Sequence, residues 1–134
     1  KAHQFLVFTT PPNLQHAVAA GLALDRSYYD GLAATQQAKR DRLARGLDAV
    51  GFSVRPSAGT YFLNAGFERL ERGEDDLAFC RRLTIEAGVA AIPVSAFYAD
   101  GGVRDHVRFC FCKRETVLDA ALERLGRYFA GRCA

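Results

Sequence analysis

The chain contains no methionine, and its first residue is Lys1. Because a complete translation product starts with an initiator methionine, we expect this sequence to be a piece of a longer protein. No apolar run approaches the ~20 residues that a membrane-spanning helix requires, and the first residues lack the charged-then-apolar layout of a secretory signal. These absences predict a cytoplasmic protein with no membrane partner.

The charged residues form no block of one sign. The net charge is +3, and the 18 Lys and Arg residues are interspersed among the 15 Asp and Glu residues. Nucleic-acid-binding domains concentrate basic residues on one face or along one helix, and blocks of like charge mark interaction tails. We therefore predict that the protein binds no nucleic acid.

The four cysteines are Cys80, Cys110, Cys112 and Cys133, and no C-x-x-C pair or histidine at ligand spacing accompanies them. This pattern predicts no metal site and indicates reduced thiols that act as small hydrophobic side chains. Cys110 and Cys112 lie two residues apart, so on a strand they point to the same face as neighbours rather than bond to each other.

What the sequence does contain is typical of one soluble globular domain: 134 residues, of which 49% are apolar and 25% charged. The opening segment up to Thr10 reads as extended, and Thr10 can cap a helix over about residues 12–24 that starts with prolines. Apolar residues at helical spacing predict a second, long helix from about Tyr29 to Val50, which Gly51 ends.

The rest of the sequence alternates between strand and helix patterns. Two short strands, 52–54 and 60–65, flank a Pro-Ser-Ala-Gly turn. A helix capped by Asp75 or Asp76 and stopped by Gly88 follows, and then come the strand VAAIPVSAFY, the strand HVRFCFC and a C-terminal amphipathic helix. The order β-β-α-β-β-α after two helices predicts an α+β fold, a small sheet with helices packed on it.

Arg108 interrupts an otherwise apolar strand. In the segment VRFCFC, Val107, Phe109 and Phe111 lie on one face of the strand, and Arg108 lies on the other with two cysteines. A buried guanidinium does not lose its proton and is costly to leave unpaired, so it needs an anion. Two interpretations stay open. In the first, Arg108 is structural and either pairs with a protein carboxylate or reaches water at a strand end. In the second, it binds a carboxylate ligand with two parallel hydrogen bonds.

Four segments together carry a family resemblance: HQFLVFTTPPNLQHAVAAGL, GFSVRPSAGTYFLNAGF, GVAAIPVSAFY and VRFCFCKRETVLDAALERL. In order and spacing, across essentially the whole chain, they resemble the C-terminal part of the class I/II, fold-type I aminotransferases, which use pyridoxal 5'-phosphate. IPVSAFY followed by VRFCF is similar to the subgroup of kynurenine, glutamine and methionine aminotransferases. The resemblance implies the small C-terminal domain of such an enzyme, preceded by the end of its large domain and an interdomain helix.

The resemblance also implies roles for individual residues. Arg108 occupies the position of the arginine that binds the α-carboxylate of the substrate. Phe8 and Thr9 match a segment that reaches across a dimer interface into the neighbour's substrate pocket, although kynurenine-type enzymes often carry histidine where Thr9 stands. Phe97 lies, with Tyr98, in the loop where the small domain closes over substrate. The alternatives are an ordinary interface or core position for Phe8 and packing at a strand end for Phe97.

The catalytic residues of the family are not among those that match. The lysine that bonds covalently to pyridoxal phosphate lies in the large domain, before the segment that matches Lys1. Lys1, Lys39 and Lys113 do not sit in its sequence setting and read as surface lysines. No cofactor-binding residue can be assigned, and the chain alone is expected to be unable to transaminate.

We therefore assign residues 1–28 to the end of the large domain and its dimer-interface segment, and residues 29–134 to the small domain with the interdomain helix. The expected function is the transfer of an amino group from a methionine-, glutamine-, aromatic or kynurenine-like amino acid to a 2-oxo acid by a homodimer. Two alternatives remain. One is β-elimination from cysteine conjugates on the same fold, and the other is a non-catalytic module that uses Arg108 to bind a small carboxylate.

Overall fold

The computed structural model describes residues 1–100 and 102–131, so Cys133 lies outside the described residues. The helices are α1 (Ala2–Leu6), α2 (Pro12–Leu22), α3 (Arg26–Val50), α4 (Asp76–Arg82) and α5 (Glu115–Ala130). The strands are β1 (Ser53–Val54), β2 (Phe62–Gly66), β3 (Ile92–Pro93) and β4 (His106–Cys110). A π-helical turn (Leu83–Ala87) continues α4, and a 3₁₀ turn (Val94–Phe97) follows β3. The predicted α+β fold and the order β-β-α-β-β-α are confirmed. None of the helices in the described ranges is long and apolar enough to cross a membrane.

The chain divides into two compact units, residues 1–34 and residues 35–134. α3 begins in the first unit and ends in the second. All the buried hydrophobic side chains of the described residues belong to the second unit, whereas the apolar side chains of α1 and α2 are exposed. The second unit therefore contains the hydrophobic core.

The second unit is built on a four-stranded antiparallel sheet in the order β1-β2-β4-β3. β4 is a central strand: Asn64 of β2 lies opposite Arg108 on one side, and Ile92 of β3 lies opposite it on the other. The side chains of β4 alternate between half-buried and buried. Val107 and Phe109 therefore face the core and Arg108 faces the opposite side of the sheet, as the alternation in the sequence predicted.

The core packs on one face of the sheet against α3, α4 and α5, and phenylalanines form its centre. Phe67 and Phe79 stack with ring centroids 4.0 Å apart, and Phe52 meets Phe109 and Phe129 edge to face. Full burial of a Phe side chain contributes about 1.5–3 kcal/mol relative to its exposure to water. Because Phe109 belongs to β4, this cluster fixes the strand that carries Arg108.

The opening segment differs from its prediction. It is not extended but begins with the short helix α1. Thr10 does not cap α2, because Pro11 takes the N-cap position without a side-chain hydrogen bond and Pro12 starts the helix. The fixed φ of proline suits the first turn. The carbonyl of Thr10 accepts a hydrogen bond of 2.7 Å from Nε2 of Gln15 instead.

The segment VAAIPVSAFY forms a strand of only two residues, shorter than predicted. Pro93 has no N–H for the sheet ladder, and the residues after it form the 3₁₀ turn. The carboxylate of Asp76, the first residue of α4, accepts hydrogen bonds of 2.7 and 2.8 Å from the backbone N–H and the hydroxyl of Ser95. These bonds hold Ser95, which follows β3, at the start of α4, so the residues after Pro93 do not continue the strand.

The third predicted helix has the expected ends. Oδ1 of Asp75 accepts a hydrogen bond of 2.9 Å from the N–H of Ala78 and so caps α4. Gly88, in the left-handed region with φ 66°, ends the π-helical turn that continues α4. The sequence signals at both ends therefore gave the correct limits, although they did not show that the last turn is a π-helix.

Candidate functional site

Arg108 is held between two aromatic rings on the face of the sheet that points away from the core. Its Cζ lies 4.2 Å from the ring centroid of Phe62 and 4.1 Å from that of Phe97. Phe62 begins β2 and Phe97 ends the 3₁₀ turn, so separate elements supply the two rings. Aromatic faces are negative and attract a guanidinium. The two rings therefore restrain the position of the guanidinium.

The guanidinium of Arg108 has no carboxylate partner within residues 1–100 and 102–131. No Asp or Glu oxygen in these ranges lies within 4.0 Å of its nitrogen atoms. The described part of the chain thus does not support a structural ion pair. A half-buried cation has lost part of its hydration, and an added anion restores the interaction that it lacks. This leaves two interpretations, a carboxylate ligand or contact with water.

Phe97 owes its position to a buried hydrogen-bonded contact. Asp76 is only 1% exposed, and its carboxylate holds Ser95, which lies two residues before Phe97 in the same 3₁₀ turn. The ring of Phe97 is itself 57% exposed, and both substrate contact and packing at a strand end stay open for it. Its ring lies against Arg108. Sequence reasoning selected Phe97 but missed Asp76, because a contact between residues 19 positions apart leaves no local pattern.

Asn64 is a further polar group beside Arg108 that sequence reasoning missed. It lies opposite Arg108 in the register of β2 and β4. Its Oδ1 is buried and has no hydrogen-bond partner among the described residues. An unpaired buried acceptor is costly, so this oxygen marks a place where an outside donor fits. The sequence contained one signal that could have identified Asn64: the alternation of strand residues places it on the same face of β2 as Phe62.

A second polar cluster lies farther along the same face. Nε2 of His106 accepts a hydrogen bond of 3.0 Å from Nε of Arg55, and Nδ1 of His106 lies 2.6 Å from Oδ1 of Asp105. Because Nε2 accepts, Nδ1 carries the proton and donates to Asp105. That hydrogen bond is the main reason why the pKa of Asp105 is lowered.

Phe8 and Thr9 belong to the first compact unit, in the segment between α1 and α2. The ring of Phe8 is exposed, and the hydroxyl of Thr9 donates a hydrogen bond of 3.3 Å to the carbonyl of Thr10. A core position for Phe8 within this chain is therefore wrong, and an interface position stays open. The contact of both residues with substrate stays a prediction.

Comparison with known proteins shows one consistent likeness. The sequence profile of the family described as aminotransferase class I and II matches residues 1–125. Methionine aminotransferase of Escherichia coli (strain K12) is 40% identical over 125 residues, which cover 93% of this chain and 32% of the relative. Kynurenine–oxoglutarate transaminase of Dictyostelium discoideum is 34% identical over 143 residues, which cover 92% of this chain and 33% of the relative.

The solved structures show the same likeness. N-succinyldiaminopimelate aminotransferase from Mycobacterium tuberculosis matches with a TM-score of 0.82 and 44% identity, over 92% of this chain and 32% of its own. The chain spans about a third of the length of the curated relatives it matches. The resemblance predicted from the four sequence segments, including the subgroup with methionine and kynurenine enzymes, is confirmed.

Proposed function

Because the chain belongs to the aminotransferase class I and II family, we propose that the whole protein transfers an amino group from an amino acid to a 2-oxo acid. This chain supplies the group that binds the α-carboxylate of the substrate. The observation that carries the proposal is the guanidinium of Arg108, which is restrained between Phe62 and Phe97 and has no carboxylate partner among the described residues.

Arg108 serves this role through its geometry. A guanidinium presents two parallel N–H groups that match the two oxygens of a carboxylate, so the pair fixes orientation as well as charge. Restraint by the two rings reduces the conformational entropy that binding costs. The carboxylate bound in this way sets the direction of the bonds at the α-carbon, and such orientation contributes to rate as well as to affinity.

Pyridoxal phosphate is the cofactor that the resemblance implies, and when bound it supplies the electron sink for amino transfer. The lysines of this chain do not fit the covalent anchor of that cofactor. Lys1 and Lys113 are exposed, and Lys39 is half-buried within the long helix α3. A lysine anchor is expected to be desolvated in a pocket. We therefore propose that the residues described here act on the substrate, and that the cofactor is anchored in the part of the protein that corresponds to the unspanned two thirds of the relatives.

The N-terminal residues complete the proposal. We assign residues 1–28 to the end of the large domain and to a homodimer interface, and residues 29–134 to the small domain. The exposed ring of Phe8 supports an interface, and with Thr9 it would line the substrate pocket of the other subunit. A cytoplasmic location goes with this assignment, because Cys80, Cys110 and Cys112 are free thiols, as is usual in reducing compartments.

The experiment is an assay of the full-length protein supplied with pyridoxal phosphate, a 2-oxo acid acceptor, and methionine, glutamine, kynurenine or an aromatic amino acid as donor. The proposal predicts equal amounts of a new amino acid and of the 2-oxo acid derived from the donor. Release of pyruvate and a thiol from a cysteine conjugate without any acceptor would show β-elimination instead. Carboxylate binding without turnover of any donor would show a binding module and would overturn the proposal.

A further inference from the structure

The thiols of Cys110 and Cys112 lie in contact at the end of β4. Their Sγ atoms are 3.2 Å apart, with Cys110 half-buried and Cys112 exposed. β4 ends at Cys110, and the N–H of Lys113 donates a hydrogen bond of 2.8 Å to the carbonyl of Phe111. This hydrogen bond closes a three-residue turn centred on Cys112. The pair thus joins a strand residue to a residue in a turn.

On a regular strand the two cysteines were expected to be neighbours without a bond, but β4 ends at Cys110 and the turn at Cys112 accompanies contact of the two sulfurs, so the backbone geometry allows a bond between them. Residues i and i+2 of an extended strand are about 6.6–6.8 Å apart at Cα, which falls at the upper end of the range of about 4.4–6.8 Å found for disulfides. The last hydrogen bond between β2 and the chain after β4 joins the N–H of Phe111 to the carbonyl of Tyr61. Cys112 lies beyond that bond, so a small shift of its backbone does not break the sheet.

We propose that Cys110 and Cys112 are an oxidisable pair that a peroxide converts into an intrachain disulfide. The sulfur of Cys112 attacks one oxygen of the peroxide, the O–O bond breaks, and water leaves once the hydroxide has taken the thiol proton. The sulfur of Cys110 then attacks the resulting sulfenic acid, the S–O bond breaks, and its proton leaves with the hydroxyl group as a second water. Two thiols lose two electrons in total, and the peroxide gains them.

Exposure and surroundings distinguish this pair from the remaining described cysteine. Cys112 is exposed, and Cys110 lines a cleft of about 390 Å³ between the segment before β3 and the start of α5. Burial raises the pKa of Cys110, and its hydrogen bond with Cys112 raises that pKa further. Cys110 therefore keeps its proton, and Cys112 is the sulfur that a small oxidant reaches first. Cys80 is 5% exposed, and burial raises its pKa to about 12, so it is an inert internal reference.

The cysteine pair lies close to Arg108 in the sheet. The expected effect of its oxidation on substrate binding rests on the proposed function of Arg108. Phe62 lies opposite Cys110 in the register of β2 and β4, and the ring of Phe62 is one of the two that restrain Arg108. Closure of the disulfide draws Cys110 and Cys112 together and changes the strand end that lies opposite Phe62 in the sheet. We therefore expect the oxidised protein to hold the substrate carboxylate less well, which raises KM.

Peptide mass spectrometry of the full-length protein tests the bond itself. Trypsin cleaves after Arg108 and Lys113, so both cysteines fall in the peptide Phe109–Lys113, while Cys80 falls in Gly73–Arg81. After treatment with equimolar hydrogen peroxide and alkylation, the first peptide should be unalkylated, lighter than its dithiol form by two hydrogen atoms, and restored by dithiothreitol. The Cys80 peptide should be alkylated after unfolding. A doubly alkylated Phe109–Lys113 peptide, or one that carries only a sulfinic acid, would overturn the proposal.

A kinetic comparison tests the link to Arg108 separately. Oxidation should raise KM for the amino acid at least about threefold in the wild type and leave Cys112→Ser unchanged, because that variant cannot form the disulfide. A disulfide without any change in KM would overturn the link to Arg108. Absence of amino transfer in the reduced protein would instead count against the proposed function, and the mass measurement would still decide whether the bond forms.

Discussion

The side chain of Arg108 carries its charge in surroundings that are aromatic rather than acidic. Contact with the faces of Phe62 and Phe97 is worth about 0.5–1 kcal/mol at an exposed site and about 2 kcal/mol when water is excluded. This is less than the penalty of several kcal/mol that a charge pays on full burial. The rings therefore restrain the guanidinium without neutralising it, which agrees with the carboxylate-binding role proposed for Arg108.

The contribution of one ring can be measured directly. Replacement of Phe97 with Leu removes a cation–π contact of about 0.5–1 kcal/mol, so KM for the amino acid should rise about two- to fivefold in the full-length protein. The free energy of unfolding should change little, because Phe97 is mostly exposed. Tyr98→Leu is the matched control, since Tyr98 is also exposed and its ring is not one of the two on Arg108. Equal rises in KM for both variants would show that the ring of Phe97 has no special role.

For single residues, the sequence predicts which side chain is unusual but not which residues surround it. The alternation in VRFCFC placed Arg108 opposite the core face, and the structure agrees. Asn64 and Phe62 became its neighbours through the register of β2 and β4, and register depends on pairing between segments more than 40 residues apart in the chain. No local pattern within either segment specifies that pairing.

Among the elements, the 3₁₀ turn is the one that connects the core to the site. One buried side chain, Asp76, holds it from the start of α4 through two hydrogen bonds to Ser95. Hydrogen bonds to a charged group contribute about 1.5–3 kcal/mol each, and a donor left unpaired by deletion of its partner is costly. The position of Phe97 therefore depends on Asp76, although the two side chains belong to different elements.

Two substitutions separate the hydrogen bonds at this turn. Asp76→Ala removes the acceptor of both bonds and should lower the free energy of unfolding by about 3–6 kcal/mol. Ser95→Ala keeps the backbone N–H bond and should cost about 1.5–3 kcal/mol, because only the hydroxyl bond is lost. Urea unfolding of both variants measures the difference, and KM for the amino acid should rise in the same order. If both variants unfolded at the same urea concentration, the backbone bond to Asp76 would contribute nothing.

The elements also show where sequence patterns are reliable. Helical periodicity located α2 and α3 to within a few residues and identified α5 as a helix, because each spans several turns of consistent spacing. The patterns failed for α1 and for the segment after β3. α1 has only five residues, too few for a periodic signal, and the turn after β3 is held by a side chain from α4. Contacts between distant elements overrode local preference in the second case.

In the N-terminal unit, residues 1–34, large apolar side chains are exposed to solvent and would be buried by contact with a partner. Phe5, Leu6 and Phe8 are 80%, 83% and 79% exposed. Exposed apolar clusters of this kind mark interaction surfaces. They are therefore consistent with the proposed dimer interface, and the dimer itself stays a prediction.

Substitution of this segment tests the interface. The double variant Phe5→Ser, Phe8→Ser of the full-length protein should raise the dimer dissociation constant at least about tenfold, because each buried Phe contributes about 1.5–3 kcal/mol. Ile85→Ser is the control, since Ile85 is 82% exposed but lies in the second unit. Sedimentation equilibrium gives both constants. An equal effect of the control, or no effect of the double variant, would place the interface elsewhere.

The proposed function of the whole protein rests on Arg108 as the carboxylate-binding group. The direct measurement is kcat/KM of the full-length protein for its fastest amino-acid donor and for the amine that lacks only the α-carboxylate, in wild type, Arg108→Lys and Arg108→Ala. Loss of two charge-assisted hydrogen bonds, each worth roughly 1.5–3 kcal/mol, should lower kcat/KM for the amino acid at least about a hundredfold in Arg108→Ala. Arg108→Lys keeps the charge without the paired geometry and should lie between.

The amine and the cofactor provide the controls for that measurement. Turnover of the amine should be nearly the same in all three proteins, because it offers Arg108 no carboxylate. The absorbance spectrum of the bound cofactor should also be unchanged, since the proposal places the cofactor's anchor outside the residues described here. We predict that the preference for the amino acid over the amine collapses in Arg108→Ala. Near-normal kcat/KM for the amino acid in Arg108→Ala would contradict it and leave Arg108 as a structural residue.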